Sequence, residues 1–555
     1  MPDNYAIADQ FSLLSKLMDI HQENSFKSKS YSSAAFTIEK LPVQLDQMDR
    51  KDLAGLKGIG ESSAKKIIEI LDTGKLQVLE ELIGKTPPGI LEMMQIKGLG
   101  PKKISTIWKE MGIESIGELL YACNENRLLL YKGFGEKTQK NVADGIGYFI
   151  RNQGHFLYAE IADYAIHLQQ IFQKEFPKNN CSLVGEIARQ MPTTDSIKIL
   201  TDAEPKKIET FLVSNEFDIL TSQDGILECK GKEQVKIYVH TTNEESFLEE
   251  AFRLCCSEEF YTSWTSAYPD SLKNISNEVE IFEKAGIHFI PTYLREKSSV
   301  IIQAKSESFD DVIQTKDIKG IIHSHSDWSD GLNTIADMAK ASIKQGFEYL
   351  VVSDHSKSAF YANGLNEERI KAQHQYINEL NQQLAPFKIF KSIECDILND
   401  GSLDYSDGIL GTFDLVIASI HSNLKMSLEK AMERIMRAIE NPFTTILGHP
   451  TGRLLLSREG YPIDHLRVID ACIANKVVIE INAHPRRLDM DWRWLYDAQE
   501  KGAIFSINPD AHGIEGYRDI KYGVLAAQKG GLKSKNNLSS YSLAAFEKFL
   551  LDYRN

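Results

Sequence analysis

The pattern of apolar and polar positions divides the chain into three stretches. Residues 1–150 carry apolar residues at helical spacing, interrupted three times by one short element: LKGIGESSAKKIIEIL at 56–71, IKGLGPKKISTIWKEM at 96–111 and YKGFGEKTQKNVADGI at 131–146. Each reads apolar-Lys-Gly-apolar-Gly and then enters a helix. Two glycines around one apolar residue permit a tight turn with positive φ, and the helix that starts at once offers free N–H groups. Residues 151–295 alternate strand-like runs (SIKIL, QVKIYV) with a helical one (EPKKIETFLV), an α/β or α+β pattern without a self-evident site. The polar stretch 296–318 reads as a linker with room for one short strand.

From residue 319 to 555 the pattern is regular. Strand candidates GIIHS, YLVVS, KIFKSIE, DLVIASI, TTILGH, KVVIEIN and AIFSI alternate with amphipathic helices, such as those carrying Ile335, Met338, Ala339 and Ile343, or Leu428, Ala431, Met432, Ile435 and Ile439. Seven β/α units predict a closed or nearly closed parallel barrel. In such barrels the chemistry sits at the strand C-termini. The polar residues there are His323, His325, Asp354, His355, Glu394, His421, His449, Asn482, Asp510 and His512.

Six of the 14 histidines fall at these strand ends. A lone histidine there is usually a satisfied core or loop residue. Six converging with carboxylates need a cation to offset desolvation and repulsion, and imidazole and carboxylate donors without thiolate suit Zn²⁺, Mn²⁺ or Fe²⁺.

Charge refines the N-terminal reading. The whole chain carries a formal charge of -15, but residues 1–150 hold 19 Lys+Arg against 20 Asp+Glu. The excess acid therefore lies after residue 150, and the N-terminal section is free to meet a polyanion. No apolar run is long enough to span a bilayer. The N-terminus lacks the pattern of a secretory signal, and the seven scattered cysteines form no Cys-x-x-Cys pair. A cytoplasmic location with reduced thiols is the expectation.

The repeated element resembles the helix-hairpin-helix motif of DNA repair proteins, which grips backbone phosphate without reading bases. Gly58, Gly60, Lys65 and Lys66, Gly98, Gly100, Lys102 and Lys103, and Gly133, Gly135, Lys137 and Lys140 are its candidate DNA-binding residues. A single copy would pass as an ordinary helix connection with solvated lysines; three copies make that reading poor.

In the last stretch HSHSDWSDG, SDHS, IECD, SIHS, GHP and NPDAH resemble the PHP (polymerase and histidinol phosphatase) family. The resemblance covers some 235 residues and implies a distorted (β/α)7 barrel with two or three divalent metals. It assigns His323, His325, Glu394 and Asp510 to one metal, Glu394, His421 and His449 to a second, and Asp330, His355 and His512 to a third. Glu394, Asp510 and His325 would act catalytically through these metals, which lower the pKa of water and clamp phosphate oxygens. Asp354 and Asp396 could orient imidazoles or merely cap helices. Arg453, just after GHP, could contact substrate phosphate or be a solvated loop arginine.

The order of parts resembles bacterial family X DNA polymerases: a helical lyase-like domain (1–150), a polymerase-beta-like nucleotidyltransferase domain (151–295) and PHP. The middle domain departs from that family. Glu186 stands at its Ser position, and Ser196, Lys198 and Lys236 stand where three metal-binding aspartates belong. A lysine about 4 Å from a divalent cation costs roughly 8 kcal/mol at an effective dielectric of 20, which opposes polymerase activity and leaves Lys198 and Lys236 as possible DNA contacts. Lys66 occupies the family's lyase position, although a phosphate-contacting lysine is the simpler reading.

The expected function is a DNA-repair phosphoesterase, a 3′–5′ exonuclease or a processor of 3′ ends or abasic sites, with DNA as its partner in gapped, 3′-ended or single-stranded form. The alternatives are an active family X polymerase with 3′–5′ exonuclease, a histidinol-phosphatase-like enzyme, and a non-catalytic DNA-end scaffold.

Overall fold

The computed structural model describes residues 2–554 except Asp3, Lys40, Pro42, Lys57 and Lys97, so two lysines of the repeated element lie outside the described residues. The chain forms two compact units. One comprises Met1–Cys123 and Tyr131–Gly147, the other Asn124–Leu130 and Tyr148–Asn555. The short stretch Asn124–Leu130 thus belongs with the second unit, inside what the sequence marks as N-terminal domain.

The first unit is helical. Helices Asn4–Ile20 and Ser25–Glu39 bury Phe11, Leu14, Tyr31 and Ala34, with the Phe11 and Tyr31 rings edge-on at 5.9 Å. The three repeated elements fold alike. The first glycine of each pair has positive φ, +88° at Gly58, +94° at Gly98 and +95° at Gly133. A backbone bond closes each turn, from Ile59 N to Leu56 O, Leu99 N to Ile96 O and Phe134 N to Tyr131 O. Ile59, Leu99 and Phe134 are buried. They pin the turn to the core while the helices Glu61–Thr73, Pro101–Lys109 and Glu136–Gln153 begin directly after the second glycine. Lys65, Lys102, Lys137 and Lys140 are exposed. Lys103 leans back to the Gly98 carbonyl at 3.4 Å, and Lys66 is half-buried with Nζ 5.8 Å from the Tyr31 ring centroid.

In the second unit a mixed five-stranded sheet comes first: β1 (Cys181–Val184), β2 (Ser196–Thr201), β3 (Asp218–Gln223), β4 (Ile226–Lys230) and β5 (Lys236–Thr241), in the order β1-β2-β5-β4-β3. Next come short helices around Phe252, Phe260, Trp264 and Phe282. Residues 296–318 are not the linker expected. The apolar run at 300–302 forms a helix, Ser299–Gln303, rather than a strand, because Ile301 and Ala304 fill that aromatic core, and Val312 bridges to Lys533.

The barrel follows, with β6 (Gly320–Ile321), β7 (Tyr349–Val352), β8 (Lys388–Asp396), β9 (Leu415–Ser419), β10 (Ile446–Leu447), β11 (Val478–Asn482) and β12 (Phe505–Asn508) parallel and in sequence order. A bridge between Ser324 and Ala511, with His325 N donating to Ala511 O at 2.9 Å, brings the two edges together. The barrel is nearly closed. The side chains of Thr334, Asn366, Ser427 and Asp464 cap the helices that follow β6, β7, β9 and β10 by accepting a first-turn N–H.

Replacing Gly98 by alanine places a Cβ on a residue at φ +94°. The first unit is expected to lose about 1–3 kcal/mol, measurable by amide hydrogen exchange of helix Pro101–Lys109.

Candidate metal centre

β6 ends at Ile321, and the chain then turns inward at the HSHSDWSDG loop. Asp354 holds that loop. Its carboxylate accepts from Ser326 N at 2.8 Å, Ser326 Oγ at 2.6 Å, Ser329 Oγ at 2.5 Å and Gln373 Nε2 at 2.6 Å. Asp354 therefore fixes a loop instead of orienting an imidazole. Asp396 does orient one: its Oδ1 lies 2.8 Å from His421 Nδ1.

The nine sequence-predicted ligand residues come together at the C-terminal mouth of the barrel. Ligand atoms of His323, His325, Glu394 and Asp510 lie within 4.8 Å of one another, as do those of His325, Asp330, His355 and His512, and those of His355, Glu394 and His421. His449 Nε2 stands 2.9 Å from Glu394 Oε1. The grouping is more interleaved than the expected assignment, because His325 and His355 each reach two groups. Glu394 is the hub, with Oε1 3.0 Å from His421 Nε2 and 3.3 Å from His323 Nε2, and Oε2 3.0 Å from His355 Nδ1.

The donor set fits a cation. His323 Nε2, His325 Nδ1, Asp330 Oδ2, His355 Nδ1, Glu394 Oε2 and His512 Nε2 are buried without an aligned hydrogen-bond partner, and such groups cost free energy unless something satisfies them. Electrostatics show the same conflict. Burial and the neighbouring His512 and His355 pull the His325 imidazole down to about 3. Burial also opposes charge on His323, yet Glu480, Asp510 and Glu394 hold it well above its ordinary value. Glu394 stays well below the usual carboxylate range despite burial, because His421, His323 and His355 surround it. A divalent cation would replace this proton sharing.

Glu480 is missing from the sequence reading. It is fully buried in β11, its Oε2 is 2.6 Å from His323 Nδ1, and it accepts from His449 N at 3.0 Å and Asn508 Nδ2 at 2.8 Å. This is the carboxylate–imidazole pairing that fixes ligand orientation at metal sites. The one available signal was an acid inside the apolar strand KVVIEIN. Asn482 also contributes, donating to Asp510 Oδ2 at 2.9 Å.

Arg453 is occupied elsewhere. Its guanidinium binds Asp491 and the carbonyls of Arg487 and Leu488, so it braces the 487–491 loop. Arg487 lies closer to the cluster, with Nε 3.9 Å from Asp510 Oδ2.

On the middle sheet Ser196 and Lys236 are register partners on adjacent parallel strands, and Lys198 pairs with Tyr238. Lys198 Nζ binds Glu186 Oε2 at 2.8 Å. Lys236 Nζ is 3.6 Å from Glu228 Oε1. The positions the resemblance picks out are therefore adjacent, and both lysines have a carboxylate beside them.

Comparison with known proteins places the whole chain. Residues 2–76 match the helix-hairpin-helix domain and residues 90–146 the SAM-like helix-hairpin-helix tandem. A curated DNA polymerase/3′-5′ exonuclease PolX of Bacillus subtilis is 32% identical over 563 aligned positions, covering 96% of both chains. The chain belongs to the PolX family. A probable phosphatase of Thermoanaerobacter sp. is 28% identical over 193 residues, covering 32% of this chain and 73% of that protein. The probable phosphatase YcdX of Escherichia coli is 25% identical over 158 residues, covering 27% and 58%. The PolX family assignment brings with it a phosphoesterase or nuclease type of enzyme and DNA binding. No helix among the described residues is long and apolar enough to cross a membrane.

Glu480→Gln keeps the shape of the side chain and removes the charge facing His323. Metal affinity is expected to fall about 10–100-fold, read by calorimetric titration of chelator-stripped protein with Mn²⁺ or Zn²⁺.

Proposed function

We propose that this PolX-family chain trims or processes DNA 3′ ends at the barrel mouth, with the helix-hairpin-helix elements holding the strand and the middle domain inactive as a polymerase. The observation that carries the reading is the buried cluster around Glu394 in a chain whose N-terminal residues match helix-hairpin-helix domains and repeat one tight turn three times. Transition metals such as Zn²⁺, Mn²⁺ or Fe²⁺ would supply an activated water and a clamp on phosphate oxygens. The protein's part is to hold the ligands: Glu480 and Asp396 fix two imidazoles, and Asp354 fixes the loop that carries Asp330.

For the middle domain, the support is chemical. Ser196, Lys198 and Lys236 give no carboxylate at the three positions where the family resemblance puts them, and Glu186 is already bound to Lys198. Burial pushes the Glu186 carboxyl up, yet the bond to Lys198 keeps it below its ordinary value.

Two outcomes are expected. With Mn²⁺ the protein shortens 3′-ended single-stranded or gapped DNA, and Glu394→Ala or His325→Ala lowers turnover about a hundredfold or more while DNA affinity in chelator is retained. If DNA stays intact while small phosphate esters are hydrolysed, the metabolite-phosphatase reading replaces this one; if neither is hydrolysed, the scaffold reading does. On primed or gapped DNA with dNTPs, no templated incorporation occurs with Mg²⁺ or Mn²⁺; extension that responds to changes at Lys198 or Lys236 would restore the polymerase reading.

A further inference from the structure

Beside the metal cluster lies an aromatic pair that the proposed chemistry does not use. After β7 the chain makes a short turn at Phe360–Ala362. Phe360 is 85% exposed, yet it does not sit on a loose loop, because its neighbours Ala359 and Ala362 are completely buried. Ser358 N donates to Asp404 Oδ2 at 2.6 Å, and Lys357 N to the Tyr405 hydroxyl at 3.0 Å. Gly364 packs so closely on Ser356 that a Cβ would stand 1.9 Å from the Ser356 carbonyl oxygen. The fold thus presents a phenyl ring to water from an anchored turn, at a cost that burial elsewhere would have avoided.

The pair adjoins the cluster through Tyr361. The Tyr361 ring is 6.5 Å from that of His355, and the exposed Phe360 ring is 6.0 Å from that of Tyr361, at 76° to it. Arg127, from the Asn124–Leu130 stretch of the same unit, places its guanidinium 4.6 Å from the centroid of the Tyr361 ring. Such a step of rings beside a cation matches a nucleotide, whose flat base and charged phosphate are separated by one sugar. Rigid aromatic rings are a sequence-tolerant support for unpaired bases.

We propose that Phe360 and Tyr361 form a stacking platform for the unpaired base at a DNA 3′ terminus, so that the terminal phosphodiester is presented to the cluster around Glu394. This rests on the reading of the cluster as a DNA 3′-end phosphoesterase. It predicts a preference for ends that carry a base over ends that carry only the sugar.

The test uses full-length protein and single-stranded oligonucleotides ending in 2-aminopurine, an ordinary base or a tetrahydrofuran abasic analogue. In chelator, wild-type protein should quench 2-aminopurine fluorescence on binding. Phe360→Leu and Tyr361→Leu should lose the quench, and Phe360→Trp should keep it. With Mn²⁺, wild type should cleave base-bearing ends about tenfold faster than abasic ends, and both leucine variants should bring that ratio close to one. Metal content and thermal denaturation confirm that the variants fold. Equal quenching in all variants, or an unchanged ratio, overturns the platform. So does a Phe360→Leu variant that changes only self-association in ultracentrifugation, since the ring would then face a second copy of the chain. The two readings fail separately: quenching without any DNA cleavage keeps the platform and removes the nuclease, while cleavage with neither quench nor preference does the reverse.

Discussion

One buried carboxylate organises the barrel mouth. Glu394 is 1% exposed and sits on the longest barrel strand, in register between His355 and Ile417, with its N–H donating to Asp354 O and its carbonyl accepting from Ser356 N. His323, His355, His421 and His449 all approach it to within 3.3 Å. A carboxylate cannot be buried cheaply without compensating charge, and here the compensation comes from imidazoles that themselves resist charge when buried. Their opposed shifts, His325 down and His323 and His421 up, describe a cluster that cannot satisfy all its members by sharing protons. Divalent cations seated among these groups would offset that conflict.

The backbone pays for the same convergence. His323, His449 and Asp510 have φ of +63°, +25° and +51°, a region that non-glycine residues enter at about 1–3 kcal/mol each. All three follow the C-terminal ends of barrel strands, where the chain must turn its side chain into the mouth. They are held there by the frame: His449 N donates to Glu480, and Ala511 beside Asp510 bridges to Ser324 beside His323. The contact that closes the barrel thus flanks His323 and Asp510, while Glu480 on β11 holds His449.

The barrel and its ligands were legible because two signals coincide. Apolar runs of strand length recur with helical spacing between them, and residues of ligand type stand at the end of each run. The seven strand candidates correspond to β6 through β12 in order. Glu480 was not legible, since one acid in an apolar strand has no pattern and acquires meaning only when the fold brings His323 beside it. Arg453 is the converse case. Its place after GHP suggested a rim, but its partners Asp491 and the 487–488 carbonyls are distant in sequence. The stretch 296–318 reads as a linker because its composition is polar, yet Ile301, Phe309 and Val312 enter the aromatic core before the barrel, and Ile313 and Ile318 enter the core of the barrel itself. The hairpin elements were legible from the Gly-x-Gly spacing alone, since φ near +90° at the first glycine is a local requirement.

The middle sheet shows why charge must be read with its partners. As sequence, Lys198 and Lys236 could serve as a phosphate contact where carboxylates had been. In the fold Lys198 is two-thirds or more buried and neutralised by Glu186, itself 28% exposed, and Lys236 has Glu228 at hand. A lysine already paired offers a phosphate less, because the existing pair must be broken and its carboxylate left facing the anion. Cβ contacts reinforce this: Gly185, at φ +71°, has the Lys198 side chain packed against it, so the lysine is held over the start of the Gly185–Ala188 turn instead of reaching into solvent. By contrast Lys65, Lys102, Lys137 and Lys140 stand exposed beside helix N-termini. By charge and exposure the helical hairpins are therefore better suited to a DNA backbone than the Lys198 and Lys236 positions of the middle sheet, where each lysine stands beside a carboxylate.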